Sequence, residues 1–267
     1  MTDANDLLTV LRLSVSRAIS GESRVAVAYS GGLDSSLVAS LAKEFAVVQC
    51  YTCGFSASFD SRNAKAFAEK EGLSVELITP TRSELLSLVA EAALIMDTTD
   101  PVRIAYTVPL LCVLDHSKET RILAGNGADE LFGGYAKYGG SSDPRGMMSR
   151  DLEKALFEGN LLSSAARGLG KELGLPFASE ELRAFAARTD LDKKIGGGGR
   201  KIILRQVAEL LGLPSHSRPK KAAQYSSGVM KEMRRESEQQ GLRLSDWTSR
   251  IASCAPGQEP IAKAIKK

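Results

Sequence analysis

Tyr29-Ser30-Gly31-Gly32-Leu33-Asp34-Ser35-Ser36 gathers three serines, two adjacent glycines and one carboxylate into eight residues. A Gly-Gly turn lets backbone N–H groups point into one concavity, and a following helix adds partial positive charge at its N-terminus. The hydroxyls of Ser30, Ser35 and Ser36 supply donors of little bulk. Asp34 is the odd member, because a carboxylate facing a phosphate repels it unless Mg²⁺ bridges the two. These residues therefore read as a cradle for a metal-bound nucleotide pyrophosphate, built from Ser30, Gly31, Gly32, Asp34, Ser35 and Ser36. The plainer alternative is a turn with an Asp or Ser helix cap.

A second group lies far along the chain, at Leu123-Ala124-Gly125-Asn126-Gly127-Ala128-Asp129-Glu130-Leu131-Phe132-Gly133-Gly134-Tyr135. Its glycines let the backbone approach a ligand closely. Asp129 would face Asp34 as the second carboxylate on one Mg²⁺; the alternative is that it only caps a helix starting at Glu130. The cradle is not the loop that ends in Gly-Lys-Ser/Thr, since no such tripeptide follows Gly31-Gly32. A loop gripping the β- and γ-phosphates as one unit favours attack at the α-phosphorus, with AMP and pyrophosphate as products.

The first motif resembles the signature of the N-type ATP pyrophosphatases. The second resembles that of the synthetase domain shared by asparagine synthetases and β-lactam synthetases. The likeness extends to Met96–Arg103, Arg200–Arg205 and Arg218-Pro219-Lys220, and covers roughly residues 22 to 232. It implies ATP and Mg as cofactors, Asp34 and Asp129 as metal ligands that serve catalysis, and Lys220 stabilising charge at the α-phosphate. Gly125 and Asn126 would touch the nucleotide, and Cys53 and Gly54 would pack against adenine. Lys220 also reads as part of a solvated basic turn. The implied activity is an amide-forming ligase that adenylates a small carboxylate and passes ammonia or an amine to it.

Some positions depart from the resembled pattern. Asn126 stands where these synthetases commonly carry Glu, and Asn cannot act as a base. Around Asn160–Leu162 and Glu172–Phe177 the usual Arg and Asp are replaced by small residues such as Gly174 and Ser179. The phosphate loop is reached by residue 30, which leaves no room before it for the family's glutaminase domain. The resemblance thus implies free ammonia or a separate glutaminase subunit as nitrogen source. Rival readings are a tRNA-modifying ATP pyrophosphatase and a non-catalytic ATP-binding protein.

These side chains need a scaffold. Apolar residues Leu7, Leu8, Leu11, Val15 and Ile19 predict an N-terminal helix over 1–20. Strand-like runs follow at 25–28, 47–51, 75–78 and 121–124, separated by helical patterns at 35–44, 60–71, 82–94 and 106–118. That alternation predicts an α/β unit over 21–140, a doubly wound parallel sheet with both motifs at strand carboxyl ends. Beyond 141 the pattern predicts helices only, near 149–158, 160–173, 179–188, 200–211 and 226–240, a smaller all-helical region that completes the site.

Gly196–Gly199 reads as a lid or linker, and Lys193, Lys194, Arg200 and Lys201 beside it could neutralise ATP. Arg103 reads as an anion clamp or a structural ion pair. Cys50 and Cys53 form a C-x-x-C, yet residues three apart on a strand point to opposite faces, which disfavours shared metal or redox chemistry. His116 and His216 are isolated and structural. A net charge of +3 gives little support for nucleic acid as a partner. No apolar run reaches the roughly 20 residues needed to cross a bilayer. Four cysteines in 267 residues fit a reducing, cytoplasmic setting, and a homo-oligomer is compatible with the composition.

Overall fold

The computed structural model describes residues 3–55, 59–217 and 227–253. Five parallel strands form its sheet: β1 (Arg24–Ala28), β2 (Val47–Cys53), β3 (Ser74–Ile78), β4 (Arg121–Leu123) and β5 (Glu172–Gly174), in the spatial order β3-β2-β1-β4-β5. The order reverses between β1 and β4, which pair through Ala26 with Ile122 and Val27 with Leu123. The loop after each of these two central strands carries one of the two motifs. Such a switch point opens a crevice at the strand carboxyl ends, where ligands bind in sheets of this kind.

Alternation along β1 distributes the core. Val25 and Val27 join a cluster on one face with Leu7, Leu11, Leu37 and Leu204. Ala26 joins another cluster with Tyr51, Ile122, Leu111 and Trp247. The first face is covered by α1 (Ala4–Ile19), α2 (Leu33–Ala42) and α3 (Phe59–Lys70), and the second by α4 (Arg82–Ile95) and α5 (Pro101–His116). The second motif opens α6 (Ala128–Phe132), followed by α7 (Ala136–Gly139), α8 (Pro144–Gly168), α9 (Glu180–Arg188), α10 (Ile202–Leu210), α11 (Val229–Gln239) and α12 (Leu244–Ser253). Capping boxes at Asp3/Asp6 and Thr81/Glu84 start α1 and α4.

The later half departs from a purely helical expectation. Glu172–Gly174 adds β5 to the sheet beside β4, and Gly174 has no room for a side chain because a Cβ there would lie 2.6 Å from Leu123 Cδ2. Ser179 caps α9 by accepting from Leu182 N. The two helices expected across 149–173 are one, since Gly159 packs against Leu175 without breaking α8. Helix α5 starts at Pro101 rather than 106, because Asp100 caps it through Val102 N at 2.9 Å and Pro101 suits the first turn.

The Gly196–Gly199 run is not a linker. Ile195–Gly196 pairs antiparallel with Gly199–Arg200, and Gly197 and Gly198 make the turn at φ +54° and +78°, conformations open to glycine. Among the described residues, no helix is long and apolar enough to cross a membrane.

Helix α1 seals the sheet by packing on α9 and α10, with Leu11 fully buried. Leu11→Ala should lower stability by about 2–5 kcal/mol. A urea midpoint displaced at unchanged m-value would show it; an unchanged midpoint would mean that α1 is dispensable to the core.

Candidate functional site

Asp34 lies in the first turn of α2 and Asp129 in the first turn of α6, yet neither caps its helix. The N-cap positions are Gly32 and Gly127, and neither helix start carries a side-chain cap. Both carboxylates turn toward one ammonium instead. Lys201 Nζ lies 2.6 and 2.5 Å from the two Asp34 oxygens and 2.6 Å from Asp129 Oδ1. Lys201 is 3% exposed. Burial alone would drive its pKa down; the charges of Asp129 and Asp34 outweigh that and hold it above the ordinary lysine value.

Lys201 reaches this point from the Ile195–Arg200 hairpin and adopts φ +56°, a left-handed conformation that costs a non-glycine residue roughly 1 kcal/mol or more. Close packing fixes the arrangement. A Cβ on Gly125 would lie 2.9 Å from Asp34 Cβ and 3.3 Å from Ser35 N, so glycine is what lets the second loop rest on the first. A Cβ on Gly134 would lie 1.7 Å from Asp129 Oδ1 and 2.5 Å from Lys201 Cε. Arg200 Nη1 donates to Gly134 O at 3.1 Å and holds the hairpin against this turn.

Beside the triad, Ser30 and Ser35 organise the first loop. Ser30 N donates to Ser35 Oγ at 3.2 Å, Gly32 N donates to Ser30 Oγ at 3.2 Å, and Ser35 Oγ donates to Gly32 O at 3.2 Å. Gly31 provides the turn at φ +64°. A cavity of about 530 Å³ opens over this loop, lined by Ser30, Gly32, Asp34, Ser35, Cys53, Gly125, Asn126 and Asp129 among others.

Three of the expected residues do not line the cavity. Ser36, one helical position beyond Ser35, turns inward toward the Tyr29 phenol at 3.5 Å. Gly31 shapes the loop from behind. Gly54 is buried and donates its N–H to Ile78 O at 3.0 Å, extending the β2–β3 ladder. Lys220 lies outside the described residues.

The opposite wall comes from α5 and α8 and was not legible in the sequence. Tyr106 OH donates to Glu158 at 2.9 Å, and Arg103 Nη2 donates to the same carboxylate at 3.0 Å. Arg103 is thus an ion-pair partner, and the pair sits at the cavity through Glu158 and Tyr106. Apolar side chains of Val102, Pro109, Leu110, Val113 and Leu162 complete this wall. Glu130 also lines the cavity, accepting from Tyr135 OH at 2.6 Å; burial raises its pKa, and the neighbouring Asp129 charge adds to the rise.

Cys50 is buried in the core on one face of the sheet, whereas Cys53 belongs to the other face and lies beside Cys112. The C-x-x-C is therefore not a shared site. His116 Nδ1 sits 3.0 Å from Cys112 O, and His216 O accepts from Arg205. Neither histidine lines the cavity.

Mg²⁺ fits the donor set of the triad. Two carboxylates already converge on one cation, and Mg²⁺ is commonly held by one or two carboxylates plus substrate phosphates and water. Among the described residues no group of three His, Cys, Asp or Glu could hold a metal by itself. The remaining ligands would thus come from the substrate.

Fold and site together define an α/β protein with a serine- and glycine-lined crevice at its strand switch point. The asparagine synthase family matches residues 6–166 and 136–253. A Methanocaldococcus jannaschii protein assigned as a glutamine-hydrolysing asparagine synthetase is 30% identical over 87% of this chain and 51% of its own length. Escherichia coli asparagine synthetase B is 26% identical over 86% of this chain and 46% of its own. NMN synthetase from Francisella tularensis overlays at a TM-score of 0.45 and 12% identity, covering all of this chain and 92% of that one, a likeness too loose to bear on function. The chain belongs to the asparagine synthase family. It spans about half the length of the curated relatives it matches.

Gly125→Ala should destabilise the protein by about 1–3 kcal/mol, because the added methyl forces apart two loops that have no slack. Chemical denaturation reads this directly, and a neutral result would mean that the loops separate freely. Lys194, 5% exposed, offers a pH test: burial first, then the Arg145 charge, push its pKa down to about 8. The unfolded lysine titrates near 10.4, so the unfolded state binds more protons between the two values and stability gains there as pH rises. Lys194→Met should therefore stabilise most below pH 8 and least near pH 10. Thermal melts of both proteins at pH 7 and pH 10 would expose the difference, and a pH-independent gap would refute it.

Proposed function

We propose that this protein is an ATP-dependent ligase that adenylates a small carboxylate and transfers ammonia or an amine to it. The observation that carries the reading is the convergence of Asp34 and Asp129, from loops after adjacent parallel strands, on one cation beside a serine- and glycine-lined cavity. Asp34 and Asp129 would hold Mg²⁺, which neutralises phosphate charge and draws the β- and γ-phosphates together when bound.

In this reading the Ser30–Ser35 loop grips the terminal phosphates. An oxygen of the substrate carboxylate attacks the α-phosphorus, the bond from that phosphorus to the bridging oxygen breaks, and pyrophosphate leaves with the bonding electrons. The amine then attacks the acyl carbon, the carbon–oxygen bond to AMP breaks, and a proton is lost from nitrogen. Most of the acceleration is positioning and charge neutralisation.

Asn126 cannot take that proton. Glu158, tied to Arg103 and Tyr106, and Glu130, tied to Tyr135, are the carboxylates that line the cavity and could accept it. Lys201 and Lys220 supply positive charge toward the phosphates, and Cys53 contributes to the base pocket. The nitrogen is supplied as free ammonia or by a separate glutaminase.

Pyrophosphate release, screened over carboxylic acids with ATP, Mg²⁺ and ammonia, tests the assignment. One or more acids should give AMP and pyrophosphate in equal amounts. Asp34→Asn and Asp129→Asn should each cut the rate by about 10²-fold or more, in line with losing a charge-stabilising group. Formation of ADP, or full activity in either variant, would sink it.

A further inference from the structure

The triad holds two carboxylates that border the cavity around one buried ammonium, and its geometry already brings the carboxylates to one cation. Lys201 donates to both Asp34 oxygens and is ion-paired with Asp129, so the oxygens that face a common cation are already engaged while the ammonium stays. The side chain is not held there by chance. Its left-handed backbone, the two-residue glycine turn before it, and the clearance that Gly134 leaves for Asp129 and Lys201 Cε all serve this one placement.

We infer that Lys201 is a resident stand-in for the divalent cation, holding Asp34 and Asp129 together in the free protein and excluding free Mg²⁺ until a polyphosphate arrives to take the ammonium. This rests on the proposed metal–nucleotide reading of the same site. The physical logic is charge exchange. Free Mg²⁺ must strip the carboxylates from a buried lysine and leave its ammonium with no anion, which is unfavourable for a side chain so far from water. A triphosphate brings the missing anions, so the ammonium moves from carboxylate to phosphate as the metal takes the carboxylates. Lysine suits the exchange, being a compact point charge on a flexible stem. The protein would then accept metal and nucleotide together and hold neither a bare cation nor a nucleotide lacking terminal phosphates as well. Lys201 is in this sense a positioning residue for the metal ligands.

The test is Mn²⁺ binding to the full chain without nucleotide, followed by the electron paramagnetic resonance signal of free Mn²⁺, in wild type, Lys201→Met and Lys201→Gln. Lys201→Met should bind one Mn²⁺ about tenfold or more tightly than wild type. Adding Asp34→Asn to it should remove the gain. In parallel, Mg²⁺ should raise the melting temperature of both Lys201 variants and leave that of wild type unchanged, a response that a purely structural lysine would not produce.

Equal Mn²⁺ affinity in wild type and variants overturns the inference, and so does failure of both variants to fold in saturating Mg²⁺. If wild type binds Mg²⁺–ATP in an Asp34-dependent way while the variants gain no metal affinity, the stand-in role falls and the nucleotide-site reading survives. If wild type binds no Mg²⁺–ATP at all, that reading falls and takes the inference with it.

Discussion

Three charged groups meet at the cavity floor around one buried ammonium, and much of the chain is arranged so that they can. Burying an ion pair costs several kcal/mol per ion before the attraction is counted, and removing one partner afterward leaves the other stranded at similar cost. The protein accepts that cost at a single point where Asp34, Asp129 and Lys201 come from segments 95 and 72 residues apart in sequence. Each contributes through a different device: a helix first turn after β1, a helix first turn after β4, and a glycine hairpin from the second half of the chain. The contact is thus a cross-tie between halves as well as a site.

Sheet order makes the cross-tie feasible. β1 and β4 are neighbours although two strands and four helices separate them in sequence, so their following loops emerge side by side at one edge of the sheet. β5 then binds the second half of the chain to β4. The hairpin bearing Lys201 approaches across Gly133 and Gly134, where a Cβ on Gly133 would lie 2.4 Å from Ile195 Cγ2. The glycines of the second motif therefore accommodate this protein's own hairpin as well as any ligand.

Local patterns in the sequence carried the first half of the fold. Runs such as Val25–Ala28 and Val47–Tyr51 are apolar and β-branched, and their boundaries shift by only a residue or two in the structure. Glu172–Gly174 has neither length nor alternation, and it is a strand because β4 offers it a partner. Gly196–Gly199 carries no hydrophobic period, so its hairpin is decided by φ values that glycine permits and by the lysine it must deliver. The start of α5 was encoded in Asp100-Pro101, a cap and a first-turn proline, which a reading of apolar periodicity alone passes over. At the site, Asp34 and Asp129 stood out because carboxylates in phosphate-type loops need an explanation. Glu158 and Tyr106 did not, being a lone acid and a lone aromatic on ordinary helices that only the packing of α5 on α8 unites.

The cavity's polarity separates a polar end from a mostly apolar one. At the strand edges it is lined by the Ser30 and Ser35 hydroxyls, the glycine-rich loops and the carboxylates of Asp34 and Asp129. On the α5 and α8 side it is mostly apolar, with one compensated carboxylate held by Arg103 and Tyr106. A compensated carboxylate attracts a cation weakly and rejects an anion only mildly, so that wall offers shape more than charge. Gly174 and Ser179, which the family resemblance would place near an acceptor's charged groups, are occupied with strand packing and helix capping instead. Charge is thus concentrated where the two central strands end, and the α5 and α8 side is left mostly apolar.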